Sequence, residues 1–192
     1  MSCPISQDFL FVCATPPVAG VYDYILLYNY DEFRTMIDNG LVTYAVDGSI
    51  DSIANSVGVQ AFRYDVPDAT ALIPTYPNRK VAGGINGFDH LLNFSIIGNE
   101  QAQKNAVNAM NLSRVVAIYM CKNGKGEILG IDQGLDMVGN TASINDKDLG
   151  SVIPVQLATG ETSAERKPPL SIFDTDAATT KALIDGLTTV GV

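Results

Sequence analysis

The chain has 192 residues, a formal net charge of −9 and a calculated isoelectric point of about 4.4. Its lysines and arginines are scattered, which argues against tight nucleic-acid binding, since a protein that grips nucleic acid needs cations facing the phosphates. No apolar run reaches the roughly 18 residues needed to span a bilayer, and the N-terminus lacks the basic region of a signal peptide. We therefore expect a soluble protein, with no membrane contact, made of one domain or of one domain with an extended arm.

The cysteine count excludes two kinds of framework. Three cysteines cannot close a complete disulfide set, and with the single His90 they do not have the spacing of a zinc site. Whether Cys3 and Cys13 pair is left open. Cys121 lies in an apolar run and is interpreted as a small buried hydrophobic residue.

The first half of the chain predicts strands. Residues 20–30 are dense in aliphatic and aromatic side chains, and residues 31–37 fit one helical turn. Residues 41–45 and 48–53 predict short strands around an Asp47–Gly48 turn, and the alternation over 57–66 predicts another strand.

The middle of the chain is punctuated by proline and glycine. Pro67, Pro74 and Pro77 argue against a central strand over residues 67–78 and favour a surface loop or hairpin. Residues 78–97 predict extended structure with breaks at Gly83–Gly84 and Gly87.

The stretch from Gly98 to Gly139 is the best-specified part of the sequence. An apolar stripe predicts a helix over 99–113 with Asn99 as its N-cap. The run Val115–Cys121 predicts a strand buried on both faces, because it is β-branched and nearly continuous. Asn123–Gly124 then predicts a tight hairpin with residues 127–132 as the partner strand.

The last part of the chain changes composition. Residues 136–145 fit a strand or a loop, and residues 151–158 predict a strand whose Pro154 favours an edge position or a bulge. From Thr159 the chain is typical of a linker, followed by a short helix over 175–188 capped by Asp174 or Thr175. We therefore predict a β domain over residues 1–160, and a linker and arm over residues 161–192.

Motifs that carry chemistry are weak in this sequence. The glycines at 83, 84 and 87 are not followed by a helix start, and His90 has no recognisable nucleophile motif near it. Asp146–Gly150 alternates like a calcium loop but lacks the third ligand and the closing glutamate. We expect no enzyme activity, no catalytic residue, no cofactor and no metal.

Three stretches resemble tail-tube-type structural proteins of tailed bacteriophages. The first comprises Cys3, Cys13, Pro17 and the strand from Gly20 to Asp31, with its closing Asn29. The second comprises Leu112–Ile118, the Asn123–Gly124 turn and Ile128–Leu135. The third is Asp148–Leu157, so the resemblance spans most of residues 1–160.

The resemblance implies a mainly β fold with one packed α-helix: a two-sheet β-sandwich or barrel of the tail-tube type. It implies a virion structural protein that forms homo-oligomeric rings in the phage tail or neck, after assembly in the host cytoplasm. A hexamer is expected for a tail tube, and a dodecamer is an alternative for a connector ring. The implied partners are other copies, tail, neck or connector proteins, and DNA in transient, non-specific passage.

An acidic channel would repel phosphates and let DNA slide. Asp47, Asp51, Asp65 and Asp68 flank the predicted hairpins and are the candidate channel-facing acids. The competing hypothesis is a stand-alone β-sandwich binding module, such as a capsid-decorating or adhesion protein. In that case Tyr64, Tyr76 and Phe88 would line a groove.

Overall fold

A computed structural model describes residues 20–66, 72–80, 86–98, 100–140, 152–161 and 163–191. We number the elements in chain order. The strands are β1 Val21–Asn29, β2 Val42–Tyr44, β3 Ile50–Ile53, β4 Phe62–Asp65, β5 Ile73–Thr75, β6 Asn78–Lys80, β7 Asn86–Phe88, β8 Leu91–Ile97, β9 Val115–Cys121, β10 Gly126–Leu129, β11 Asp136–Asn140, β12 Val152–Ala158 and β13 Leu170–Ile172. The helices are α1 Tyr30–Asp38, α2 Gln101–Leu112 and α3 Ala177–Gly186. The prediction of a mainly β protein with two principal sheets is confirmed, but the described residues form three helices where one packed α-helix was predicted.

The larger sheet has seven strands in the order β2–β3–β13–β10–β9–β1–β4. Its pairs are antiparallel except for β13 and β3, which are parallel. Strands β1 and β9 are buried on both faces over most of their length, as their continuous apolar sequences predict. They therefore form the centre of the molecule.

One face of the seven-stranded sheet is covered by helices α1 and α3. Phe33 and Met36 of α1 and Ile184 of α3 are fully buried in the same core cluster as residues from β1, β9 and β10. Tyr28 and Phe33 pack with ring centroids 5.1 Å apart. This cluster carries the packing between the helices and the sheet.

The other face of the sheet packs against the four-stranded sheet, whose order is β11–β12–β8–β5. Leu92 and Phe94 of β8 and Leu157 of β12 lie in one cluster with Ile25 and Ala117 of the larger sheet. Val107 and Met110 of α2 belong to the same cluster. The strands therefore form two layers, with the four-stranded sheet presenting one face to the core and one face outward. Strands β6 and β7 form a separate two-stranded sheet.

The predicted helix and hairpin after residue 98 are confirmed in existence and type. Helix α2 begins at Gln101 with Glu100 as its N-cap residue, which makes no side-chain capping bond, and the predicted cap Asn99 lies outside the described residues. Strands β9 and β10 pair antiparallel across the predicted turn, where Gly124 has φ +88°. A positive φ at this position is why the turn needs glycine.

The described C-terminal residues do not form an extended arm, contrary to the sequence prediction. Strand β13 lies inside the seven-stranded sheet, between β10 and β3, and α3 buries Ile184 against that sheet. Gly126 permits the approach, because a Cβ there would clash with the Ile184 side chain. The helix is capped by Asp176, which accepts the Thr179 N–H at 2.8 Å, and not by Asp174 or Thr175. The sequence before β13 has the composition of a linker, so it gave no indication of these apolar contacts.

Two strand predictions also need correction. The strand predicted over 57–66 is regular only in β4, because Gly58 adopts φ +79° and interrupts the alternation. Strand β12 lies between β11 and β8, so Pro154 does not mark an edge strand. Its described pairing with β11 reaches Val155, next to Pro154, and the irregularity falls in β11 between Met137 and Gly139.

Candidate assembly surfaces

A buried polar cluster joins three distant parts of the chain around the loop after β10. The Glu165 side chain is fully buried, and its carboxylate accepts the backbone N–H of Asp132 at 2.9 Å and of Gln133 at 2.8 Å. His90 Nδ1 accepts the Gly130 N–H at 3.1 Å, and Nε2 lies 3.0 Å from the Lys167 carbonyl oxygen. The cluster therefore fastens the segment before β13 to the core.

The same bonds determine what the cluster can do chemically. Because Nδ1 accepts a hydrogen bond and a carbonyl oxygen faces Nε2, the neutral Nε2–H tautomer of His90 fits. Burial lowers the pKa of His90 to about 4, and burial raises the pKa of Glu165 against the opposing effect of its backbone bonds. Both ring nitrogens face backbone groups, so His90 is a satisfied core histidine.

A second polar group lies on the central hairpin. The Tyr119 hydroxyl of β9 donates to the Glu127 carboxylate of β10, and burial raises the pKa of this tyrosine. Cys121 is half-buried, and desolvation raises the pKa of its thiol to about 11. A thiol with this pKa stays protonated near neutral pH. Cys121 packs against the core, but it is partly buried and not fully buried as predicted.

The outward face of the four-stranded sheet is nearly uncharged. Since side chains alternate along a strand, the residues between the buried positions project from this face. Its described members are Ile73, Thr75, Leu91, Asn93, Ser95, Asp136, Pro154, Gln156 and Ala158. Gln156 Nε2 donates to Asn93 Oδ1 at 2.9 Å, and Asp136 forms an ion pair with Arg114 at 3.2 Å. The face therefore presents mainly amides, hydroxyls and small apolar groups.

The two ends of the seven-stranded sheet expose aromatic side chains. At one end, Phe62 of β4 is 47 % exposed beside a crevice of about 280 Å³ between β4 and helix α2. At the other end, the β2–β3 hairpin exposes Tyr44 by 47 % and leaves Val46 fully exposed. The opposite ends of one sheet thus present an apolar crevice and an apolar tip.

The predicted channel acids do not lie together. Asp47 is exposed in the β2–β3 turn, where bonds from Ser49 lower the pKa of its carboxyl, and Asp51 is exposed on β3. Asp65 is exposed at the end of β4, where it pairs with Arg63 at 2.8 Å. Strands β3 and β4 lie near opposite ends of the seven-stranded sheet, and Asp68 lies outside the described residues.

The aromatic groove of the competing hypothesis is only partly present. Tyr64 is half-buried and packs on Phe94 with centroids 6.5 Å apart, whereas Tyr76 is 49 % exposed. Phe88 belongs to β7, in the separate two-stranded sheet, where its backbone bridges to Glu165. Cys3, Cys13, Gly83–Gly84 and the Asp146–Gly150 loop lie outside the described residues.

Comparison of this chain with known proteins identified no relative. Neither a protein-family model, a curated protein nor a solved structure matches this chain. Among the described residues, no group of three or more histidine, cysteine or acidic side chains could hold a metal ion. Within the same residues, none of the helices has the length and apolar character needed to cross a membrane.

Proposed function

We propose that this chain is a non-enzymatic virion structural protein that forms rings in a phage tail or connector, with the outward face of its four-stranded sheet lining the channel. The observation that carries the proposal is the near absence of charge among the described residues of that face, in a protein of net charge −9. Its described members include one charged residue, Asp136, which is paired with Arg114. Since the described members of this face include no lysine or arginine and the adjacent Arg114 is paired with Asp136, the wall gives passing phosphates little to hold.

The strand directions support assembly by rotation about a channel axis. The four-stranded sheet is antiparallel throughout, so its outer strands β5 and β11 run in opposite directions. A copy added beside the first in the same orientation continues this alternation. Such head-to-tail contacts generate a closed ring when the rotation closes.

The size of a six-copy ring is suitable for a conduit. Six copies contribute roughly 24 strands at a spacing of about 4.8 Å, which gives a wall roughly 37 Å across between backbones before strand tilt widens it. Barrels of about 16–18 strands already enclose an aqueous channel. The tail-tube type of two-sheet sandwich is the arrangement that this proposal assigns to the fold.

The proposal changes the expected role of the acids. Asp47, Asp51 and Asp65 belong to the seven-stranded sheet and its connections, and not to the face that we place in the channel. In this arrangement DNA passes because the wall is neutral, while the acids face neighbouring copies or solvent.

The test adds a cation to the channel face and compares it with the same cation elsewhere. Gln156→Lys places a positive charge on that face, and Ala182→Lys places one on an exposed position of α3, on the opposite side of the seven-stranded sheet. Rings of the Gln156→Lys variant should retain double-stranded DNA at low salt and release it at high salt. Wild-type and Ala182→Lys rings should not retain it, and equal retention by the two variants would contradict the proposed channel face.

A further inference from the structure

We propose that the β2–β3 hairpin of one copy docks into the crevice beside β4 of the next copy, and that this contact joins the ring. The inference rests on the proposed function, because it names the surfaces through which that assembly forms. The occupant of the crevice is therefore a second copy of this chain.

The first argument is the match between two exposed apolar surfaces. The crevice is lined by Leu27, Phe62, Tyr64, Ala109 and Met110, and it opens at the edge strand β4. Tyr44 and Val46 project from the hairpin, whose strand β2 is the edge strand at the other end of the same sheet. Packing the hairpin into the crevice would remove the apolar area of both surfaces from water.

The strand directions allow these two sheet edges to pair. With one parallel pair among seven strands, β2 and β4 run in opposite directions. A neighbour in the same orientation therefore brings its β2 beside β4 as an antiparallel strand. Strand β4 carries neither a bulge in its pairing with β1 nor a proline, two devices that natural sheets use to block pairing at an edge.

The edges of the four-stranded sheet are less suited to this role. Strand β5 contains Pro74, which has no N–H to donate, and β11 has an irregularity between Met137 and Gly139. We therefore assign the principal contact to the ends of the seven-stranded sheet, and the adjoining of β5 and β11 that continues the wall is a secondary contact.

The third argument is charge complementarity. The hairpin carries the exposed acids Asp47 and Asp51. On β4, Arg63 faces the other side of the sheet from Phe62 and Tyr64, with its guanidinium 4.1 Å from the Tyr24 ring and its Nε donating to Asp65. A guanidinium has five N–H donors, so at the edge formed by β4 it can donate to a further carboxylate from the hairpin of a neighbour.

The test uses two variants that each lose one side of the contact. Val46→Asp places a charge on the hairpin tip and leaves the crevice intact, whereas Phe62→Asp places a charge at the crevice and leaves the tip intact. Each variant alone should raise by roughly tenfold or more the concentration at which assemblies form, as measured by native mass spectrometry. Ala182→Asp, at an exposed position of α3, is the matched control and should assemble like the wild type.

A mixture of the two variants gives the decisive result. One intact tip and one intact crevice remain, so the mixture should form a one-to-one heterodimer that cannot grow. Circular dichroism of each variant checks that the fold is retained, and Val46→Ser with Phe62→Ser repeats the mixture if a charge unfolds either chain.

The outcomes separate the contact from the proposed function. A heterodimer in the mixture, with wild-type rings, supports both. A heterodimer with wild-type chains that stay open supports the contact and contradicts the ring. If the wild type forms rings, the contact is overturned by rings that persist in both single variants or by a mixture that stays monomeric. Either result leaves the proposed ring in place.

Discussion

At the scale of single residues, the most consequential feature is the buried Glu165 carboxylate. It accepts two backbone N–H groups of the loop after β10, which lie 33 and 32 positions from it along the chain. His90 bonds the same loop at Gly130, 40 positions away. No periodicity or motif connects such distant positions. The sequence therefore showed that His90 has no nucleophile motif near it, but it did not indicate that Glu165 completes the cluster.

Replacing this carboxylate tests its role. Glu165→Gln presents an amide N–H₂ to one of the two backbone donors and leaves that donor without an acceptor. We expect the free energy of unfolding to fall by about 1–3 kcal/mol, as measured by urea denaturation. Asp51→Asn, at an exposed position, is the control and should change stability by less than about 0.5 kcal/mol. Equal changes in the free energy of unfolding for the two substitutions would contradict the structural role assigned to Glu165.

His90 makes stability depend on pH. Its pKa in the folded protein is about 4, below the usual value of 6.5, so the folded state binds this proton less readily than the unfolded chain. Stability contributed by the neutral ring is therefore present above pH 6.5 and is lost as the pH falls below it, by roughly 2–3 kcal/mol between pH 7 and pH 4.5.

The raised pKa of Glu165 acts in the opposite direction, since its protonation favours the folded state as the pH falls. The clean measurement is therefore a difference between wild type and His90→Gln, taken by urea denaturation across this range. The loss of stability attributed to His90 should be missing from the variant. Parallel pH profiles of the two proteins would contradict this assignment.

At the scale of elements, the sequence predicted best where local signals and tertiary packing agree. The Asn123–Gly124 turn between two apolar runs predicted the β9–β10 hairpin, and the density of β-branched and aromatic residues predicted β1 and β9 as core strands. The C-terminal segment was predicted poorly, because β13 is three residues long and pairs with strands from distant parts of the chain. Its position depends on β3, β10 and the Glu165 cluster together.

Helix α3 should contribute to global stability as a packed element. Ile184→Ala removes a fully buried side chain beneath that helix, and the cavity should lower the free energy of unfolding by about 2–5 kcal/mol. Ala182→Ser, at an exposed position of the same helix, should have an effect below about 1 kcal/mol. If both substitutions change the free energy of unfolding equally little, the result would contradict this assignment and indicate a loosely attached arm.

At the scale of the whole molecule, the distribution of charge separates the two sheets. The described acids predicted for a channel lie on the seven-stranded sheet and its connections, whereas the outward face of the four-stranded sheet is almost neutral. Composition gave the net charge but not this separation, because the face is assembled from β5, β8, β11 and β12. In the proposed ring, the outward face of the four-stranded sheet lines the channel. The ends of the seven-stranded sheet form the contacts between copies.

The state of assembly in solution tests this account most directly. Native mass spectrometry and negative-stain electron microscopy of the purified wild-type chain, over a range of concentrations, give the number of copies and the presence of a channel together. The account predicts closed rings of one defined size with an open centre, with six copies as the expected number. A uniform monomer at high concentration would contradict it and favour the stand-alone binding module.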